Sequence, residues 1–370
     1  MNNYTIYIIT TLGIGDAHSN RIIAYANALV QKGKKVKIIS LSYNKGKIST
    51  LDPSIHIIYL QNKPIKSRLL KFITNAIKLA LVTKREIHKE DCIYVYSLID
   101  YLPIIYFLKK RNLFHEMTEC PEILRSHLPR NIYYNTCKNL SGIFVITKGL
   151  KELFIKKGIE KNKVHIINMI VDSKRFNNIQ EKKVSEEYIA YCGTVGNKKD
   201  GVDKLLRIFF KYHQIYPNKK IYIIGPFYNK ETEIYYRQYV SDNKLDNNVI
   251  FWGLVPQDQI PRLLLGAEML LLTRPNNLQA KYGFPTKLGE YLLTKKPVVI
   301  TKVGEIEFFL KDHENAMLAS PENEDEFLEK MIYLTRYPNE AKKIGINGYE
   351  TAITYFNSIK EVDKIIAQLP

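Results

Sequence analysis

Short apolar runs alternate along this chain with longer stretches whose apolar residues recur every three or four positions. "YTIYIIT" (4–10) reads as a strand and "NRIIAYANALVQKG" (20–33) as an amphipathic helix that stops at Gly33. "KVKIISL" and "SIHIIYL" are the next strands, followed by a basic helical region, then "DCIYVYS", a helix from about Leu102, and "NLFHEMTE". "GIFVITKGLKELFIKKG" (142–158) repeats strand, turn and helix, and "KVHIINMIVD" (163–172) is one more strand. The polar stretch "SKRFNNIQEKKVSEE" (173–187) interrupts the pattern and reads as a linker. Beyond it the alternation restarts with "YIAYCGTV", the helix "GVDKLLRIFFKYH", "KKIYIIG", a helix through "ETEIYYRQYVSDN", "NVIFWG", "QIPRLLLGA" and "EMLLLT". Strands alternating with helices predict parallel sheets covered on both faces. The expected architecture is therefore α/β, with two doubly wound Rossmann-like domains at 1–172 and 188–350. A last segment, 351–370, ends in the helical pattern "SIKEVDKIIAQ" and is expected to pack back on the first domain.

Composition narrows the class. A length of 370 residues exceeds one ordinary core and suits two domains of about 150–200 residues each. Hydrophobic content of 45% with 25% charged residues excludes a disordered or fibrous chain. Cys92, Cys120, Cys137 and Cys192 are far apart, with no metal-ligand spacing, and are expected to be reduced thiols of a cytoplasmic protein. The start of the chain lacks a basic segment followed by a long apolar core, so no signal peptide is expected. No apolar run approaches the roughly 18 residues that a spanning helix needs.

The net charge of +18 suits nucleic acid, an anionic lipid surface or phosphorylated substrates, and also fits a lysine-rich composition with no special partner. The lysines are spread and no nucleic-acid-binding motif is present, so no nucleic-acid partner is expected. "NKPIKSRLLKFITNAIKLALVTKREIHK" (62–89) mixes apolar residues at helical spacing with lysines. Two readings stay open for it: an apolar stripe packed on the sheet, or a helix lying on an anionic membrane.

The chemistry concentrates in "KYGFPTKLGEYLLTKKPVVITKVGEIEFFL" (281–310). The loop Tyr282-Gly283-Phe284-Pro285 enters a helix in extended form, because the residue before proline avoids the helical region. Thr286 is expected to cap a helix beginning at Lys287, whose free amides and dipole make a phosphate site. Lys287 adds positive charge there, and Glu290, one turn on, can accept two hydrogen bonds from a vicinal diol such as a ribose. Phosphate at a helix start and sugar hydroxyls at a carboxylate together describe a nucleoside diphosphate.

These residues resemble the nucleotide-sugar motif of GT-B glycosyltransferases, specifically the large retaining family of bacterial polysaccharide transferases (glycosyltransferase group 1, family 4 type). The resemblance extends through "VITKGLKELFIKKGIEKNKVHIINMIVD", "YCGTVGNKKDGVDKLLRIF", "NVIFWGLVPQDQIPRLLLGAEMLLLTRP" and "GEIEFFLKDHENAMLASPENEDEF", the last matching a closing loop. It implies two domains facing across a cleft, with a UDP- or GDP-linked sugar as donor substrate and no cofactor or metal. No DxD pair for a metal is present. It further implies an acceptor hydroxyl on a glycan or polyprenyl-diphosphate-linked carrier, retention of anomeric configuration, and capsule or O-antigen synthesis with peripheral attachment at the inner membrane face.

Residue by residue, the resemblance assigns donor binding to Gly193, Lys199, Arg274, the loop Tyr282–Pro285, Thr286, Lys287, Glu290 and Glu305. Gly13 and Gly15 of "TLGIGDAHSNRI" would line the acceptor side and approach the donor phosphates. Negative charge grows on the leaving diphosphate, so Lys199 and Arg274 are expected to stabilise the transition state. Glu119 in "HEMTECPE" falls where relatives carry a catalytic acid, Thr118 where they carry a histidine, and His115 is left as a buried or surface histidine. Two departures stand out: Tyr282 replaces the first of the family's two glutamates, eight positions before Glu290, and Thr194 replaces a basic residue after Gly193. Two rival readings follow, a non-catalytic partner subunit of an active transferase and a sugar-nucleotide epimerase on the same scaffold.

Overall fold

A computed structural model gives the structure of this chain and describes residues 4–13, 17–44, 46, 48, 50–176, 179, 187–196 and 199–370. Its contacts divide the chain into two compact units, residues 1–172 with 358–370, and residues 173–357.

The first unit holds β1 (Thr5–Thr10), β2 (Lys35–Tyr43), β3 (His56–Gln61), β4 (Cys92–Tyr96), β5 (Leu113–Met117), β6 (Gly142–Val145) and β7 (Val164–Ile166). They form one parallel sheet in the order β3-β2-β1-β4-β5-β6-β7, with Ile8 paired to Ile38 on one side and Tyr94 on the other. The inner strands β4, β5 and β6 are buried at every residue. That double burial is why β4 and β6 read as continuous apolar runs.

Two polar residues of β5 are buried with satisfied partners. His115 pairs through Nδ1 with the Val95 carbonyl at 3.0 Å and through Nε2 with the Tyr133 hydroxyl at 2.9 Å. Burial lowers its pKa to about 4, so it is a neutral core histidine. Glu116 forms an ion pair with Arg21 at 2.7 Å and accepts the Tyr25 hydroxyl at 3.2 Å. The chain's last helix, Ser358–Ile366, belongs to this unit: Val362 and Ile365 join its core, and Glu361 accepts the Asn168 amide at 2.8 Å.

The second unit holds β8 (Tyr188–Cys192), β9 (Lys220–Ile224), β10 (Val249–Gly253), β11 (Leu270–Leu272), β12 (Val298–Thr301) and β13 (Met317–Ala319), parallel in the order β10-β9-β8-β11-β12-β13. The strand β13 lies in the stretch expected to be a closing loop. Three residues are too few to display an alternation, and β12 supplies the hydrogen bonds that make them a strand. Residues 351–355 belong to the helix Pro338–Tyr355, which packs Ile344, Gly345, Gly348 and Ala352 inward and lies against the helix Thr286–Leu293.

In both sheets the strand order reverses beside the first strand, between β1 and β4 and between β8 and β11. Loops leaving the carboxyl ends there diverge and open a crevice, the place where such sheets bind ligands. The four cysteines are free thiols, three buried and Cys192 half-buried. Among the described residues, no helix is long and apolar enough to cross a membrane.

Candidate functional site

In the second unit the switch point lies between Gly193, which follows β8, and Thr273-Arg274, which follow β11. Gly193 donates its amide to the Ile224 carbonyl at 2.7 Å. A β-carbon at 193 would run into Lys287 Cε and the Tyr191 hydroxyl, so the lysine passes close over this glycine turn. Gly201 starts the helix Val202–Ile215 with φ of 64°, and a β-carbon there would strike the Thr273 carbonyl. This close approach brings the helix start against the end of β11. Thr273 Oγ1 fastens the joint by donating to the Gly201 carbonyl at 2.8 Å.

The loop 282–285 differs from expectation in two ways. Thr286 is the first helical residue and not its cap: Pro285 holds the cap position with φ −73° and ψ 105°, and no side chain caps the helix. The locked proline ring sets the entry that a capping threonine would otherwise set. Phe284 is the second difference, because its ring is 6% exposed and packs against Phe309 and Phe356 at centroid distances of 5.5 and 5.6 Å. It anchors the loop from within and does not line the surface as a donor contact would. Gly283 and Pro285 are likewise buried, while Tyr282, Thr286, Lys287 and Glu290 are half-buried.

Two ion pairs organise the charges. Lys287 is paired with Asp200, a residue 2% exposed that also accepts the Tyr191 hydroxyl at 2.9 Å. Burial pushes the Asp200 carboxyl up, but Lys287, the field of Arg274 and the Tyr191 hydroxyl together pull it below its ordinary value. Arg274 is 1% exposed, so its positive charge lies beneath the surface. Glu290 is paired with Arg175, from the short helical turn Ser173–Phe176 inside the linker stretch. No signal in a polar linker distinguishes that arginine; only the fold brings it to a residue 115 positions away. Lys199, half-buried, stands in the turn before Asp200, and Glu305 precedes the turn Ile306–Phe308. The fold thus gathers Gly193, Arg274, Lys287 and Glu290 with two residues that the sequence did not single out, Asp200 and Arg175. Among the described residues, no group of three or more His, Cys, Asp or Glu side chains could hold a metal ion.

In the first unit, Gly13 follows β1 and donates its amide to Ser19 Oγ at 2.8 Å. Gly15 lies outside the described residues. Thr118 and Glu119 follow β5, with the Thr118 hydroxyl 3.2 Å from that of Tyr96. Against the same Tyr96 ring lies His18, edge-on at 4.4 Å, with Nε2 2.8 Å from Thr10 Oγ1. Tyr96 thus touches both His18, through its ring, and Thr118, through its hydroxyl, two residues 100 positions apart in sequence.

Two parallel-sheet α/β units with these switch points define the class: the chain has the two-domain, Rossmann-like GT-B fold. Residues 172–351 match the model of the family glycosyl transferases group 1, a span that includes every residue of the site in the second unit. A search of curated protein sequences finds no match. Many solved structures resemble nearly the whole chain, and three of them illustrate the likeness. Anabaena Alr3699/HepE in complex with UDP and glucose is 16% identical over 98% of both chains, with a TM-score of 0.77. TarM is 12% identical over 99% of this chain and 98% of its own, with a TM-score of 0.78. Sucrose-phosphate synthase from Thermosynechococcus elongatus is 15% identical over 98% of both chains, with a TM-score of 0.75.

Proposed function

We propose that this chain is a glycosyltransferase that moves a sugar from a UDP- or GDP-linked donor to a hydroxyl of a glycan. The observation that carries the reading is the convergence of an uncapped helix start at Thr286, Lys287 and Glu290 on the glycine turn at the β8/β11 switch point. The helix amides and Lys287 suit a diphosphate, and Glu290 suits the ribose diol. The group 1 match over 172–351 and the likeness to a UDP- and glucose-bound structure support the same chemistry.

In this reading the leaving diphosphate gathers charge as the glycosidic bond breaks, and Lys287, Lys199 and the field of buried Arg274 offset it. The transition state has oxocarbenium character, configuration is retained, and fixed cations take the role of a metal. Acceptor binding falls to the first unit, with Glu119 as the acid and a lipid-linked glycan of the capsule or O-antigen type as substrate. A fold neighbour, a variant of S. aureus TarM, was solved with fondaparinux, alpha-GlcNAc-glycerol and UDP, which supports a glycan-type acceptor.

Calorimetry of the full chain against UDP and GDP, followed by donor turnover with and without acceptor, tests the proposal. Nucleotide binding with turnover supports it, and failure to bind either nucleotide overturns it. Binding without turnover would favour a partner subunit, a role that Tyr282 in place of glutamate makes specific.

A further inference from the structure

The helix Arg68–Glu86 faces the wrong way for a helix that serves only its own unit. The residues it buries are Asn75, Leu79 and Thr83, and much of its anchoring is polar. Asn75 Nδ2 donates to the Leu41 carbonyl at 3.1 Å, and Lys78 Nζ donates to the Leu60 carbonyl at 2.8 Å. Five of its large aliphatic residues point outward: Leu69, Leu70, Ile73, Ile77 and Leu81 are 60, 52, 44, 58 and 65% exposed. Spaced three and four apart, Leu70, Ile73, Ile77 and Leu81 make a straight stripe roughly 16 Å long. Even Thr74 presents little polarity, since its hydroxyl donates to the Leu70 carbonyl at 2.7 Å. On the adjoining helix Leu102–Leu108, Phe107 is 81% exposed.

Charge identifies what covers this stripe. Lys71, Lys84 and Arg85 border it and are exposed, and no Asp or Glu occurs between Pro53 and Arg85. The one acid of the helix, Glu86 at its end, pairs with Arg85 at 2.9 Å, which leaves Lys71 and Lys84 as the charges along the stripe. An apolar stripe so flanked disfavours a second copy of itself and complements a surface that is apolar in depth and negative at its face. We propose that the helix Arg68–Glu86 is a membrane-docking element that lays Leu70, Ile73, Ile77 and Leu81 into one leaflet of an anionic bilayer while its lysines contact the headgroups. It stands apart from the donor chemistry: loss of nucleotide binding leaves it untouched, and loss of lipid binding leaves the donor site untouched.

The test is flotation of the full chain with phosphatidylcholine vesicles, with and without phosphatidylglycerol. The chain floats with the anionic vesicles and far less with the neutral ones. The variant Leu70→Ser/Ile77→Ser/Leu81→Ser weakens binding by roughly tenfold or more. Lys71→Gln and Lys84→Gln weaken it by roughly fivefold each, an effect that rising salt reproduces. Both sets keep the parent melting temperature and UDP affinity, because every altered side chain is exposed. A parent chain that stays at the bottom of the gradient, or a triple variant that floats equally well, overturns the proposal. So does a parent oligomer that the same serine substitutions dissociate, which would make a second copy the occupant.

Discussion

Replacing Glu290 by glutamine separates the two roles that the site gives this carboxylate. In the structure it holds Arg175, with side-chain exposures of 20% for the glutamate and 7% for the arginine. In the proposed complex it also accepts the ribose hydroxyls. Glutamine keeps the shape and one acceptor oxygen but removes the charge. Breaking a fully buried ion pair costs about 3–5 kcal/mol, and the partial exposure and retained oxygen bring this to about 1–2 kcal/mol. A domain stable by about 5–15 kcal/mol survives that loss. Hydrogen bonds to a charged acceptor contribute about 1.5–3 kcal/mol each, and the neutral amide forfeits roughly 2 kcal/mol of the total. The expected result is a Kd for UDP or GDP raised by roughly 30-fold. Calorimetry with 2′,3′-dideoxy nucleotides supplies the control: they bind the parent weakly and lose little further affinity in Glu290→Gln. An equal loss for the dideoxy ligands would refute the ribose role and leave Glu290 as a support for Arg175.

Three further outcomes are expected. Lys287→Met leaves the buried Asp200 without its ion partner and destabilises the chain by about 3 kcal/mol in denaturant unfolding. Adding Asp200→Asn restores most of that stability without restoring nucleotide affinity, and recovered affinity would count against a phosphate role for Lys287. Tyr282→Glu folds with an unchanged melting temperature, since Tyr282 is only half-buried, and raises donor turnover if the tyrosine is what limits it; unfolding would mean the tyrosine is a core residue. For His115, the folded pKa of about 4 lies below the ordinary 6.5, so the unfolded chain binds the extra proton between those values. Its contribution to stability is complete above pH 6.5 and falls by about 3 kcal/mol as pH drops through 4. Urea unfolding of His115→Gln should show a correspondingly flatter pH dependence over that range.

The chain's periodicity determined most of the elements, because facing toward or away from a core is written locally at spacings of two and of three to four. The strands β1, β4, β8 and β9 and the helices Ala17–Gln31 and Val202–Ile215 were legible in this way, as was the loop that enters the helix at Thr286. Local pattern also marked the helix at 68–86 as amphipathic and basic, yet left open which of its faces the protein keeps. Tertiary structure decided that, by spending Asn75 and Thr83 on burial and leaving leucines outside. It also decided the strand order, and with it the switch point that gathers residues from distant segments. Arg175 meets Glu290 across 115 positions and Lys287 meets Asp200 across 87, contacts that no window along the chain contains. Phe284 reads as part of a binding loop in the sequence because it stands between Gly283 and Pro285 in the stretch that resembles a nucleotide-sugar motif. Only the packed structure shows the aromatic pocket into which its ring turns, because that pocket is built by Phe309 and Phe356 from later segments.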